Sequence, residues 1–385
     1  HTFLTFTTRL MKAILIATLA LVVGTISMNA KHLLVFVGSY ANSEDRGISV
    51  YRMCQDTGSL TKLSVLGNQK NPAFLEVHPS GKFLYAVNET SDFDGKKQGA
   101  VSAYSIDTEK GELTFLNQQP SQGAGPCHIT IDSTGSNALI ANYGGGSVAC
   151  MRIGSDGRIS ASSSFIQHKG SSVNARRQQA PHGHSINVDP DNRFAFAADL
   201  GIDKILVYRL DVKKGKLKPH GYAKVAPGSG PRHFAFRPDG KFAYVINEML
   251  SNVTAFRYDG KGGLTDIQTI STLPTGYNGR NSTAEIRVHP SGEFLYGSNR
   301  GHDSISVFRV HRELGTLTPI EEEKTGGKTP RNFNITPDGK HLLVANQNSG
   351  NIVVFEIDQE TGELNKTDTE VETLKPVCIR FLEVD

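Results

Sequence analysis

Read for polarity alone, the chain alternates. From Leu33 onward, short stretches carry apolar side chains at every second position, and each is cut off by a cluster of Gly, Pro, Asp, Asn or Ser. A period of two marks half-buried strands, and the longer period of an amphipathic helix is nearly missing. The alternation is organised into a unit, clearest in GPRHFAFRPDGKFAYVINE: an opening Pro, a strand, a PDGK turn and a second strand ending in Asn. It recurs about every 50 residues, as NPAFLEVHPSGKFLYAVNE from Asn71, GPCHITIDSTGSNALIANY from Gly125, HGHSINVDPDNRFAFAADL from His182, the clearest copy from Gly230, TAEIRVHPSGEFLYGSN from Thr283 and TPRNFNITPDGKHLLVAN from Thr329. After each hairpin come a third alternating strand, a DxxxG-type turn such as DTEKGEL or DQETGEL, and a fourth strand.

Four antiparallel strands per repeat make one propeller blade. Six hairpins are complete, and the seventh blade is split: PVCIRFL at Pro376 supplies its inner strand, while HLLVFVGSYA and ISVYRM supply others from the far end of the chain. Pairing the two ends closes the ring and leaves no open sheet edge. The expected fold is an all-β, seven-bladed propeller forming one domain over residues 31–385. With no Trp in the chain, these are not WD40 blades.

The repeats act as an internal control on function. The second strand of each copy ends in Asn88, Asn142, Asp199, Asn247, Asn299 or Asn346, a sameness that argues for a structural duty at the turn into the third strand. The next position varies (Glu89, Tyr143, Leu200, Glu248, Arg300, Gln347), as does the residue after the opening Pro or its equivalent (Ala73, Cys127, His184, Arg232, Ala284, Arg331). Counting outward symmetrically from each turn pairs these two series across the hairpin, Arg232 with Glu248 among them. An asymmetric ligand needs different groups from different blades, so His184, Arg232, Glu248, Arg300 and Arg331 mark a candidate site near the central channel, flanked by His182, His128, His233 and Glu285. A simple cross-strand ion pair is the bland reading of Arg232 and Glu248. The segment SSVNARRQQA before the third hairpin is long for a blade connection and could fold over the pore with Arg177 and Gln178.

Composition narrows the choice of partner. Of 385 residues, 38% are hydrophobic and 21% charged, with a formal net charge of +3 and no basic stripe, which argues against nucleic acid and membrane surfaces as ligands. A small molecule is the expected partner, and the ring is expected as a monomer or weak oligomer. The histidines do not have a helical i, i+4 spacing and sit among arginines that repel a cation, so neither a catalytic metal nor another cofactor is expected. Cys54, Cys127, Cys150 and Cys378 show no metal-ligand spacing and read as buried thiols, with a disulfide left open. Met11, Lys12, the apolar run Ala13 to Ile26 and the small residue Ala30 have the layout of a secretory signal peptide, with residues 1–10 upstream of it. A periplasmic or secreted location follows, or a cytoplasmic one if the signal is not used.

In RQQAPHGHSINVDPDNRFAFAADLGIDKILVY, GSGPRHFAFRPDGKFAYVINE and YGSNRGHDSISVF the chain resembles the bacterial propeller-type lactonases of the 6-phosphogluconolactonase kind, from about Leu33 to the C-terminus. A fungal carboxymuconate-lactonising enzyme has a similar propeller and a similar His, Arg, Glu and Arg set. The resemblance places that set on His184, Arg232, Glu248 and Arg300. It implies hydrolysis of a sugar-acid lactone, with 6-phosphogluconolactone or an unphosphorylated relative as substrate. Glu248 would be the general base held by Arg232, Arg300 would stabilise the oxyanion, and His184 would protonate the leaving oxygen; base and acid are interchangeable at this level. His182, Arg177, Gln178, His128, His233, Glu285, Arg331 and Gln347 would bind substrate. A muconate-type lactone cyclase or isomerase and a non-enzymatic binding propeller are the alternatives.

Overall fold

The alternating strands pair into seven separate sheets of four strands each, every neighbouring pair antiparallel. The computed structural model describes residues 31–40 and 47–384, so the signal-peptide reading lies outside the described residues. Blade 1 is the split one. Its innermost strand, Pro376–Val384, pairs with His32–Ser39, followed by Gly47–Cys54 and Leu60–Gly67. The closing register runs from His32 opposite Val384 to Val37 opposite Ile379. Blades 2 to 7 follow in chain order, with inner strands Pro72–Val77, Pro126–Ile131, Gly183–Val188, Pro231–Phe236, Ser282–Val288 and Pro330–Ile335.

The hairpin turn explains part of the repeat. Gly240 of the PDGK turn has φ +67, a left-handed conformation that costs glycine little, and the DPDNR copy meets the same need with Asn192 at φ 59. The turns between the third and fourth strands join neighbouring blades. Gly157 of blade 3 lies against the ring of Phe83 in blade 2, so close that a Cβ would stand 2.3 Å from it, and its carbonyl accepts a hydrogen bond from Tyr85. The same Tyr-to-Gly bond recurs from Tyr244 to Gly315 and from Tyr296 to Gly362. Between these points the blades bury aromatic and branched side chains face to face, as where Phe196 stacks on Phe234 with ring centroids 5.5 Å apart. Buried area of this kind is the main stabilising term in such a fold.

The Asn series has a structural duty, but not only at the turn into the third strand. Asn88, Asn142, Asn299 and Asn346 each donate from Nδ2 to a carbonyl of the crossover from the preceding blade (Lys70, Ser121, Thr272 and Thr325). Asp199 is the exception in sequence because its partner differs: it accepts from Nδ1 of the buried His168 at 2.6 Å, while Tyr208 lies 2.9 Å from the opposite ring nitrogen.

Candidate active site

Each inner hairpin carries a β-bulge near its opening, and this corrects the symmetric pairing expected from the turn. In blade 5, Pro231 faces Asn247 and His233 faces Ile246, which leaves Arg232 as the extra residue of the bulge; Glu248 donates its N–H to Gly230. A bulge re-aims a side chain that a regular ladder would hold in the sheet. The bulge residues are Val377, Ala73, Cys127, His184, Arg232 and Arg331, with Ala284 and Glu285 in a wider irregularity of blade 6. Tyr40, Ala73, Glu89, Cys127, Arg232, His233, Arg331 and Val377, from this ring and from the strand ends beside it, line a small inner cavity of about 10 Å³, and Arg232 is the member that also reaches Glu248. Roomier clefts occur around the Pro-Asp-Gly turns at the far end of the hairpins, but they are surface grooves between blades and hold no buried carboxylate.

Glu248 is the hub. Its Oε1 accepts from Arg177 at 2.7 Å, and its Oε2 lies 3.0 Å from both Arg232 and Arg300 and 3.9 Å from Nε2 of His184. Burial alone would raise the Glu248 carboxyl, but Arg300, Arg232 and Arg177 outweigh it and bring it down to about 2. Arg232, only 2% exposed, also donates to the carbonyl of Ala284 at 2.8 Å. The loop from Ser172 does reach over the channel mouth: Arg177 bonds Tyr143 Oη at 3.1 Å as well as Glu248. His182 stacks on Tyr143, with ring centroids 4.5 Å apart, at the same rim.

The remaining expected residues divide by position. Gln178 does not face the channel: fully buried, it donates to Leu200 O and accepts from Asn174 N, so it anchors the loop that carries Arg177. His233 and Glu285 stand behind Arg232 and hold it. Nδ1 of His233 is 3.0 Å from Glu285 Oε1, and its Nε2 faces Arg232 at 3.2 Å. Burial lowers His233 to about 4, so the ring is neutral, donating to Glu285 and accepting from Arg232. Glu285 stays ionised because Arg287, His233 and Arg380 outweigh its burial. His128 is buried between Phe74, with ring centroids 4.3 Å apart, and His233, at 5.3 Å. Gln347 bonds Thr329 through its backbone N–H alone among the described residues.

His184 stands beside Glu248 as expected, and burial, then Arg232 and His233, push its pKa well below 6.5. Its Nδ1 lies 3.6 Å from Cys127 Sγ, a thiol that burial raises far above its usual range. Among the described residues no three His, Cys, Asp or Glu side chains group as metal ligands. All four cysteines are free thiols.

Tyr40 went unremarked in sequence, and Glu89 was noted there only as a member of the varying series. Tyr40 and Glu89 face Arg331 across the cavity, with Tyr40 Oη 2.7 Å from Glu89 Oε2 and accepting from Arg331 at 2.8 Å. A signal for Tyr40 was there. Its N–H bonds Lys375 O as that of Glu89 bonds Asn71 O, so Tyr40 occupies in the split blade the position that Glu89 and Glu248 occupy in theirs.

A closed seven-bladed ring with a carboxylate clamped by three arginines at one mouth of its channel defines a propeller built around a small anionic or oxygen-rich ligand. The chain belongs to the family described as lactonase, seven-bladed β-propeller, which matches residues 34–381. It is 36% identical to 6-phosphogluconolactonase of Bacillus subtilis over 299 residues, covering 77% of this chain and 83% of that protein. A 6-phosphogluconolactonase of Formosa agariphila is also 36% identical, over 78% of this chain and 85% of the other. Among solved structures, the periplasmic gluconolactonase PpgL of Pseudomonas aeruginosa superposes with a TM-score of 0.86 at 32% identity, over 92% of this chain and 100% of that one.

Proposed function

We propose that the chain hydrolyses a sugar-acid lactone of the gluconolactone type at the arginine-rimmed mouth of its channel. The observation that carries this reading is the Glu248 carboxylate, ionised and fixed by Arg177, Arg232 and Arg300 at 2.7–3.0 Å. The lactone carbonyl oxygen docks against Arg300, whose charge stabilises the oxyanion as water attacks. Glu248 accepts the proton of that water. A carboxylate held at about 2 is a weak base in the free protein. A sugar lactone whose hydroxyl oxygens draw Arg177 onto themselves returns basicity to Glu248 at the moment it is needed. His184, neutral and 3.9 Å from Glu248, packs beside the reacting centre and does not carry the acid proton.

The N-terminal signal layout and the periplasmic gluconolactonase relative together support an exported enzyme acting on an unphosphorylated lactone. Neither alternative activity has support among these relatives. The test is acid release by pure wild-type protein from δ-gluconolactone, its 6-phosphate and a muconate lactone. Faster turnover of the first supports the reading; interconversion of the muconate lactone alone would overturn it. Fractionation of expressing cells tests export, which a wholly cytoplasmic protein would contradict.

A further inference from the structure

Opening a sugar lactone expels an alkoxide, which needs a proton as the ring C–O bond breaks. His184 holds none to spare, Glu248 is already the acceptor, and arginines do not give theirs up. The geometry points to Glu89 as the general acid that protonates the leaving ring oxygen, held in place by the Tyr40 hydroxyl and, through it, by Arg331. This rests on the lactonase reading above.

Glu89 lines the same cavity as Arg232 and Arg331, on the wall contributed by blades 1, 2 and 7. The titratable and charged groups sharing its cavity are Tyr40 from blade 1, Cys127 from blade 3, Arg232 and the neutral His233 from blade 5 and Arg331 from blade 7. Arg331 spends its bond on the Tyr40 hydroxyl, over whose ring it also stacks at 5.1 Å, and does not pair with Glu89 directly. The neighbouring bulge residues Ala73 and Val377 offer no donors. The Tyr40 bond occupies Oε2, and among the described residues Oε1 of Glu89 accepts no hydrogen bond, which leaves it to carry a proton toward the cavity. Burial raises this carboxyl above 4.5, opposed by Arg331 and the Tyr40 bond. Two carboxyls in one channel are thus pushed in opposite directions, a pattern that separates a base from an acid.

The step balances. Water oxygen bonds the carbonyl carbon while its proton passes to Glu248; the ring C–O bond breaks and the ring oxygen takes the Glu89 proton to become a hydroxyl. The new carboxylic acid sheds its proton to solvent. Glu248 likewise loses a proton to solvent and Glu89 regains one, restoring the starting state.

A donor matters for an alkoxide and hardly at all for a phenolate. Wild type, Glu89→Gln and Glu89→Asp are therefore compared on δ-gluconolactone and on dihydrocoumarin, an aromatic lactone with a phenolic leaving group, and across pH on the first. Glu89→Gln should lower kcat on δ-gluconolactone by roughly 100-fold or more, lower it far less on dihydrocoumarin, and flatten the alkaline fall of kcat/KM that the wild type shows as Glu89 deprotonates. Glu89→Asp should recover part of the loss. An equal loss on both lactones with the alkaline limb kept, or no loss on δ-gluconolactone, overturns the assignment. If wild type turns over neither lactone, the lactonase reading itself has failed and Glu89 with it.

Discussion

The clamp on Glu248 makes a quantitative prediction about folding as well as chemistry. Glu248 is 7% exposed, and its carboxyl falls from 4.5 to about 2 because its three arginines outweigh burial. At 1.36 kcal/mol per pKa unit, a drop of about 2.5 units is worth about 3 kcal/mol of folded-state stability. The sign follows from the direction. A group whose pKa is depressed on folding stabilises the fold at pH above its unfolded value, so the contribution is complete above 4.5 and fades as pH falls toward 2, with about half remaining at pH 3. Glu248→Gln mimics the protonated side chain in shape. It should therefore be about 3 kcal/mol less stable than wild type at pH 7, and the gap should narrow to about half at pH 3. Urea unfolding of both proteins at pH 7, 5 and 3, followed by circular dichroism, reads the gap directly, because every other acid-sensitive group cancels between them. A gap that is absent at pH 7, or that is constant with pH, would refute the electrostatic account of the clamp.

Three further outcomes follow from other parts of the structure. Arg177→Ala removes one of the three guanidiniums and the contact at the channel rim, so KM for δ-gluconolactone should rise about tenfold or more, and the acid limb of kcat/KM should move to higher pH as Glu248 loses a cation; steady-state kinetics that leave both unchanged would remove Arg177 from the site. Asn299 makes five side-chain hydrogen bonds whereas Asn346 donates to Thr325 O, so Asn299→Ala should cost about 2–4 kcal/mol and Asn346→Ala about 1 kcal/mol, and chemical denaturation giving the reverse order would contradict the crossover role. Of the four thiols, Cys54 is the accessible one and its pKa is lowered by the Thr57 bond, so a thiol-reactive dye should titrate one thiol in the native protein and four after denaturation; fewer than four after denaturation would mean a disulfide.

The ring was legible in the chain because a propeller writes each strand as period-two alternation and repeats the writing seven times. The split blade could be read for the same reason, since PVCIRFL and HLLVFVGSYA each match a part of the unit. What alternation cannot encode is a bulge. Arg232 and Glu248 were singled out by their variation among blades, but counting from the turn set them opposite each other, whereas the bulge at Arg232 shifts the ladder and aims the guanidinium into the channel. Gln178 shows another limit: a loop residue's neighbours depend on how the loop folds, and here its amide turns inward to Leu200 O while Arg177 turns toward the pore. His184 was found by position, but its proton balance depends on burial and on Arg232, neither of which has a sequence pattern. Tyr40 was within reach, and extending the Glu89 series into the split blade would have added it.

The most direct test of the central claim is kcat for δ-gluconolactone hydrolysis by wild type and by Glu248→Gln, measured as acid release above the spontaneous rate on protein shown by circular dichroism to be folded. Removing a general base at the channel mouth should lower kcat by roughly 100-fold or more while the ring stays intact. A folded Glu248→Gln protein that keeps wild-type kcat would contradict the claim that this arginine-clamped carboxylate is where the chemistry happens.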